Sequence, residues 1–553
     1  METGALRPMT YVITQNCCKD ATCVSACPVN CIAPVPGTAA FDSEPMLYID
    51  PQVCIDCGAC ADVCPVDAAV PADVLTDTGR QYADLNADYF RRTPRDQSSA
   101  TSTPAGPLFH AWDRASFDWS LPSDFTGLDV AVVGTGPAGL YAAELLLLHT
   151  GSTVTLIDRL PMAGGLIRYG VAPDHPGTKR IGQTLGRLYS HPRVRMLLGV
   201  GVGTEVAVDQ LARNFDAVIY AVGAATGRRL EVPGEDLPGL HTGPEFVGWY
   251  NAHPDVPADD VRLSGERAAV IGTGNVALDI ARILSTDADQ LARTDIADHA
   301  LAALRTSPVR EVVLLGRRGP EEAAYSGPEL LALRQLPDVE LVVDDSDPRT
   351  AEVIDAAVPG SQAALLSDVR RSAPDYCAPP EPGRRILLRF FSTVERVLGD
   401  EVATGVHLAD GGDVQASPVV SAIGYGGREV QGLPFDPATG TVPHVVGRIV
   451  GVPGAYAVGW FKRGSSGGIG DNRGDAAETV RTLLDDAIAG RLPGRDGTPR
   501  SFIRKVRRAH PDAFGAKELS RIFRTEEARG RADGRPAVKL ATVEDLVRAG
   551  RRS

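Results

Sequence analysis

Nine of the ten cysteines lie between Cys17 and Cys64, and their spacing is where chemistry is densest. In a secreted chain such crowding would suggest disulfides, whereas in a cytosolic one it suggests metal. Cys54, Cys57, Cys60 and Cys64 followed by Pro65 read C-x2-C-x2-C-x3-C-P. Two-residue gaps let one tight loop offer three thiolates to three corners of an iron–sulfur cube, while the cysteine before the proline reaches a second cluster. The remote fourth ligand of the first cube should come from an equivalent upstream pair, and Cys27-Pro28 is that pair. Cys27, Cys54, Cys57 and Cys60 are therefore expected to hold one [4Fe–4S] cluster. The upstream half lacks the central cysteine of a triplet, which leaves Cys17 (or Cys18), Cys23 and Cys64 for the second cluster. Three ligands suit a [3Fe–4S] centre, unless Cys18 completes a fourth corner and makes it a second [4Fe–4S]. The competing reading is structural zinc, which usually needs two C-x2-C knuckles. Cys377, alone beside Tyr376 in a proline-rich stretch, reads as an ordinary thiol.

Two glycine-rich fingerprints follow. After the apolar run 128–133 come Gly134, Gly136 and Gly139 as G-x-G-x-x-G, then a helical stretch. Strand, glycines and helix are the context of a dinucleotide site: the turn lets a pyrophosphate approach the backbone and the helix N-terminus. The next strand, 154–158, ends in Asp158, an acid placed to accept ribose hydroxyls. The second fingerprint has Gly272, Gly274 and Ala277, and its following strand, 309–316, ends in Arg317 and Arg318. Guanidinium groups there suit a 2′-phosphate that a carboxylate would repel, so this site reads as NADP(H) and the first as FAD. The interval from Gly272 to Arg317 is long, which implies an insertion near 285–307.

These motifs demand elements to carry them. A length of 553 residues suggests three or four domains. The expected fold class is α/β: two Rossmann-like (doubly wound) dinucleotide-binding domains, the NADP domain inserted in the FAD domain, preceded by an α+β ferredoxin-like Fe–S domain. Expected boundaries are 1–90 for the Fe–S domain, 91–126 for a linker, 127–235 and 411–495 for the FAD domain, 236–410 for the NADP domain and 496–553 for a basic extension. The Ser/Thr/Pro-rich stretch 91–107 reads as a flexible tether that keeps the redox modules close without fixing their geometry. The net charge of −14 argues against nucleic acid as a partner. Charge is unevenly spread, however: the first 75 residues are strongly acidic and the last 53 strongly basic. The basic end reads as solvated helices, with docking on the acidic head as the alternative. No apolar run approaches a membrane span and no secretory leader is evident, so the expectation is a cytoplasmic protein with no membrane partner.

The head, with "TYVITQNC" and "MLYIDPQVCIDCGAC", resembles the seven-iron bacterial ferredoxins, in which a cysteine matching Cys31 is a spectator. It departs from them in having five residues between Cys17 and Cys23 and in the extra Cys18. Residues 128 to about 490 resemble the adrenodoxin-reductase-like branch of ferredoxin–NADP reductases through "VVGTGPAGLYAAELLL", "GGLIRYGVAPDHPGTK", "FVGWYNAHP", "IGTGNVALDIARIL", "LLGRRGP", "SAIGY" and "VGWFKRGSSGGIG". The whole chain resembles the fused bacterial ferredoxin/ferredoxin–NADP reductases. That resemblance implies FAD contacts at Gly134, Gly136, Ala138, Gly139, Asp158, Leu166, Val202, Trp460, Gly467, Gly468 and Ile469. It implies NADP contacts at Gly272, Thr273, Gly274, Asn275, Arg317, Arg318, Glu329 and Gly467, with His175 and Glu329 orienting and balancing charge near the nicotinamide. In Tyr325-Ser326-Gly327-Pro328, before Glu329, the chain departs from the more helical sequence of the family. The implied activity runs from NADPH through FAD to the clusters and on to a ferredoxin or other one-electron acceptor, for example in cytochrome P450 systems. The alternative is an electron-input subunit of a multisubunit oxidoreductase, similar to the glutamate synthase small subunit.

Overall fold

The computed structural model describes residues 10–76, 79–93, 121–358 and 361–551. Most of the expected tether, 94–120, lies outside the described residues, although its first residues belong to helix Arg80–Arg92. In the head, strand Tyr11–Ile13 pairs antiparallel with Ala69–Pro71, and Ile32–Ala33 with Tyr48–Ile49. Buried Asn86 of helix Arg80–Arg92 ties the two ribbons together. Its Oδ1 accepts from the Ile13 and Ile49 amides (3.2 and 2.7 Å), and its Nδ2 donates to the Ile13 carbonyl (2.8 Å). Tyr89 of that helix stacks on Tyr48 at 4.4 Å. With so few strand residues, side-chain bonds of this kind must supply order that backbone ladders cannot.

The first large sheet contains seven strands, with a parallel block in the order Ala455–Ala457, Ala217–Tyr220, Asp129–Val133, Thr153–Asp158, Val194–Leu198. Helices Pro137–His149 and Asp471–Ile488 pack on each other against this sheet. Its central strands read as continuous apolar runs because both faces are covered. The chain leaves after Tyr220, and the crossing segments Thr226–Gly227 and Tyr425–Gly426 pair antiparallel. Between them lies a second, all-parallel seven-stranded sheet, so one dinucleotide fold is inserted in the other.

One boundary changes, and the expected insertion is present. Strand Val419–Ser421 pairs with Arg267–Ile271 in the inserted sheet, so the return to the first domain comes after 421 and not at 411. The long interval after Gly272 is filled by helices Ala288–Leu291 and Asp298–Thr306.

The basic extension is a docked segment, not a solvated tail. Its helices are Pro499–Ala509, Ala516–Ala532 and Val543–Arg551. Phe514 exchanges backbone hydrogen bonds with Leu198 (2.8 and 2.9 Å), extending the first sheet at its edge. Phe502 meets Phe215 edge-on at 5.5 Å. The Arg168 guanidinium donates to both oxygens of buried Glu526 (2.9 and 2.6 Å). Lys539 Nζ reaches Asp295 of the inserted domain at 2.9 Å and the Arg168 carbonyl at 3.4 Å. The composition is basic because arginines cover the solvent faces, while Phe502 and Val506, one helical turn apart, enter the core.

Candidate functional site

One cleft of about 1760 Å³ runs between the two glycine turns. Both turns must be glycine for the same reason. Gly134 has φ +105°, and a Cβ there would lie 2.3 Å from the Ala221 carbonyl oxygen. Gly272 has φ +129°, and a Cβ would lie 2.5 Å from that of Ala422. The strand thus ends against its neighbour's backbone, and each helix starts with free N–H groups facing the cleft. Residues Gly134, Gly136, Ala138, Asp158, Leu166, Val202, Trp460, Gly467, Gly468 and Ile469 line one end. Gly272, Thr273, Gly274, Asn275, Arg317, Arg318 and Glu329 line the other. Gly139 lies behind its turn, where a Cβ would meet the Gly134 carbonyl at 2.2 Å.

Asp158 is engaged by the turn itself: one oxygen accepts from the Thr135 amide (2.8 Å) and hydroxyl (2.5 Å), the other from the Leu160 amide (3.1 Å). Burial raises its carboxyl, and these hydrogen bonds oppose the rise. Trp460 donates from its indole N–H to the Ser466 and Gly467 carbonyls (2.9 and 3.2 Å), which ties down the glycine turn 467–468. These cradles fit the pyrophosphates of two dinucleotides.

Between the two ends sits a charged knot. His175 is buried; among the described residues its Nε2 has no hydrogen-bond partner, and it lies 3.9 Å from Oε2 of Glu329. Helix Gly327–Arg334 begins two residues before Glu329, with Pro328 at its N-terminus, so the sequence before Glu329 starts a helix and does not interrupt one. Arg282, which sequence reasoning missed, is buried at the centre. It donates to both oxygens of Asp174 (2.6 and 3.1 Å) and to Asp279 (2.7 Å), and reaches Glu329 at 3.5 Å. Burial opposes ionisation of Asp174, yet Arg282 holds its carboxyl below the usual range. Burial, with the Asp279 carboxylate next in weight, pushes Glu329 above the usual range. The only hint in the sequence was an arginine inside the apolar run "VALDIARIL".

In the head all nine cysteines are free thiols. Cys27, Cys31, Cys54, Cys57 and Cys60 surround one small cavity. Cys17, Cys23 and Cys64 form a second group within electrostatic reach of one another. Backbone amides point at sulfur, from Cys31 to Cys27 (3.4 Å) and from Ala68 to Cys64 (3.2 Å). Among the described residues no three cysteine sulfurs lie within 4.8 Å of one another. Tetrahedral zinc with Zn–S bonds of about 2.3 Å would bring them within roughly 4 Å, so the arrangement fits clusters better than a single ion. Cys31 lies 3.4 Å from Cys27 Sγ. Hydrogen bonding to it lowers the Cys27 thiol to about 5 and the Cys54 thiol to about 6. Burial pushes Cys17 to about 11 and Cys60 to about 12, a cost that bound iron would offset. Cys377 is exposed and distant in sequence from both groups.

The head is also held on the first dinucleotide domain and touches the inserted one, whereas a tether that leaves the geometry free was expected. The Cys18 carbonyl accepts from the Gly470 amide (2.8 Å), Lys19 pairs with Asp471 (3.3 Å), and Arg473 donates to the Thr22 hydroxyl (2.9 Å). Tyr82 donates to Gln15 Oε1 (2.5 Å) and approaches the Pro328 carbonyl at 3.4 Å, next to Glu329. These contacts join residues far apart in sequence and carry no local signature.

Comparison with known proteins agrees with both halves of this architecture. Residues 128–313 match the pyridine nucleotide-disulphide oxidoreductase family and residues 47–70 the 4Fe-4S binding domain. The chain is 41% identical over 554 residues to a probable ferredoxin/ferredoxin--NADP reductase of Mycobacterium tuberculosis, covering 98% of this chain and 95% of that protein. It is 36% identical to human mitochondrial NADPH:adrenodoxin oxidoreductase, over 76% of this chain and 91% of that one. The solved structure of Mycobacterium tuberculosis FprA in complex with NADPH superposes with a TM-score of 0.70 at 39% identity, covering 77% of this chain and 99% of that one. Identity at this level over nearly the full length, with both modules in the same order, means that the chain belongs to the fused ferredoxin/ferredoxin–NADP reductase family of flavoprotein oxidoreductases.

Proposed function

We propose that the chain oxidises NADPH and passes its electrons singly, through its own iron–sulfur head, to a ferredoxin-type or other one-electron acceptor. The observation that carries this is the single cleft, which runs from Arg317 and Arg318, past both glycine turns, to Cys17 and Cys18 of the head. FAD, held by the first fingerprint, supplies the conversion of a two-electron hydride into one-electron steps.

The protein's own residues do the rest. Arg317 and Arg318 hold the 2′-phosphate, and the helix starting at Asn275 faces the pyrophosphate. Asn275 Oδ1 accepts from the Ser326 amide (2.7 Å), bracing the segment that carries Glu329. Arg282 balances one of the two carboxylates it bonds, Asp174 and Asp279, and the remaining negative charge with burial favours the protonated form of Glu329, which faces the nicotinamide together with His175. Cys27, Cys54, Cys57 and Cys60 hold a [4Fe–4S] cluster, and Cys17, Cys23 and Cys64 a [3Fe–4S] or a second [4Fe–4S] cluster. The family relationship favours this reading over the electron-input subunit of a multisubunit enzyme.

The test is the visible and electron paramagnetic resonance spectra of the pure protein, with iron, acid-labile sulfide and flavin measured together. Flavin bands with superimposed thiolate–iron absorption and two distinct cluster signals are expected. Zinc in place of iron and sulfide, or an absence of flavin, would refute it. Deleting residues 1–90 should preserve flavin reduction by NADPH but slow one-electron transfer.

A further inference from the structure

We propose that Arg473 and Asp20 form a latch that orients the head, so that the Cys17/Cys23/Cys64 group receives electrons from the flavin site and the Cys27/Cys54/Cys57/Cys60 group delivers them outward. This deepens the proposed function and rests on it.

The contacts between head and reductase are directional. Arg473 lies on helix Asp471–Ile488, immediately after the flavin-site turn Gly467–Ile469. Its Nη1 donates to the Thr22 hydroxyl (2.9 Å), and to the carbonyl and Oδ2 of Asp20 (both 3.3 Å). Asp20 is largely buried while Arg473 is about two-fifths exposed, so the carboxylate depends on this partner more than the guanidinium does. Beside the latch, the Gly470 amide donates to the Cys18 carbonyl, and a Cβ on Gly470 would lie 2.1 Å from the Lys19 backbone. The chain carrying Cys17 is therefore pressed directly on the turn that borders the flavin cleft, and Cys17 and Cys18 line that cleft.

The other cysteine group does not line the cleft. It holds the one exposed cysteine of the nine in the head, Cys57, and the neighbouring Ile55 is exposed with it. One group faces the cofactor and the other the outside, so the head works as a two-stage relay with a fixed direction. For each NADPH oxidised, one hydride and hence two electrons enter. They leave one at a time, so two acceptor molecules are each reduced by one electron and one proton is released.

The latch is tested by charge exchange in the full-length holoenzyme. Arg473→Glu places two carboxylates together, Arg473→Ala removes the contact more gently, and Asp20→Arg with Arg473→Glu restores attraction with the signs reversed. Hydrogen exchange at the peptide containing Gly470 should be slow in the wild type, faster in both single variants and slow again in the exchanged pair. Freeze-quench electron paramagnetic resonance after mixing with NADPH should show cluster reduction slowed about tenfold in Arg473→Glu and largely recovered in the exchanged pair. Flavin reduction by NADPH, read by stopped-flow absorbance, should be unchanged, since neither residue touches the cleft. Unaltered Gly470 exchange in Arg473→Glu, or no recovery in the exchanged pair, would overturn the latch. Prior reduction of the Cys57-containing cluster, identified by loss of its signal in Cys57→Ser, would overturn the order. If flavin or clusters were missing from the wild type, the proposed function itself would fail, which is a separate result.

Discussion

Replacing Arg317 and Arg318 together by Ala should raise the KM for NADPH by about two orders of magnitude and leave NADH kinetics almost unchanged. Both arginines follow strand Glu311–Leu315 on the rim of the cleft, exposed to solvent. Exposure puts each contact to a 2′-phosphate at the low end for a charge-assisted hydrogen bond, about 1.5 kcal/mol. Two such contacts are worth about 3 kcal/mol, which at 1.4 kcal/mol per decade is roughly 150-fold. Arg318 shares one N–H with the Glu322 carbonyl at 3.4 Å, so the Arg317 single variant should be the more damaging of the two. NADH lacks the phosphate and does not use this interaction. The assay is steady-state reduction of a one-electron acceptor with each nucleotide, together with flavin content and cluster spectra, which should not change. The NADPH advantage should also shrink as ionic strength rises, because exposed charges are screened over about 10 Å at 0.1 M salt. Equal loss of NADPH and NADH activity would make the arginines structural, and a salt-independent preference would refute the electrostatic explanation.

Cys57→Ser should abolish the [4Fe–4S] signal while Cys31→Ser leaves both clusters intact; loss of a cluster in the second variant would make Cys31 a ligand. Glu526→Ala strands the buried Arg168 guanidinium and should cost about 3–5 kcal/mol in the denaturant-induced unfolding of the reductase portion, whereas a cost below 1 kcal/mol would mean that water reaches the arginine. Asp295 resists ionisation through burial, but Lys539 and Lys179, at 2.9 and 2.6 Å, hold its carboxyl well below the ordinary range. A depressed carboxyl contributes stability that is present above its unfolded value of about 4 and is lost as pH falls through the folded value. Asp295→Asn should therefore lower stability at pH 7, with the deficit shrinking toward pH 2; a deficit constant with pH would assign the effect to packing.

Much of the chemistry was legible along the chain because it depends on local spacing. Three thiolates in one loop, a glycine turn between strand and helix, and the residue ending the next strand are all short-range features, and each carries its physical reason within a few residues. That is why the two cysteine groups, both glycine turns and the position of Arg317 and Arg318 at a strand end could be read without a fold. The charged knot could not, because Asp174, Arg282 and Glu329 come from three segments that only the packing of the inserted domain brings together. The basic extension misled for a related reason. Composition counts all faces of a helix, while docking depends on the one face that holds Phe502 and Val506. The seating of the head is the most complete example. Nothing near Cys18 in sequence announces Gly470 or Arg473, some 450 residues away. Backbone hydrogen bonding and ion pairing between surfaces exist only after each surface has formed, so the direction in which the head faces was a tertiary decision.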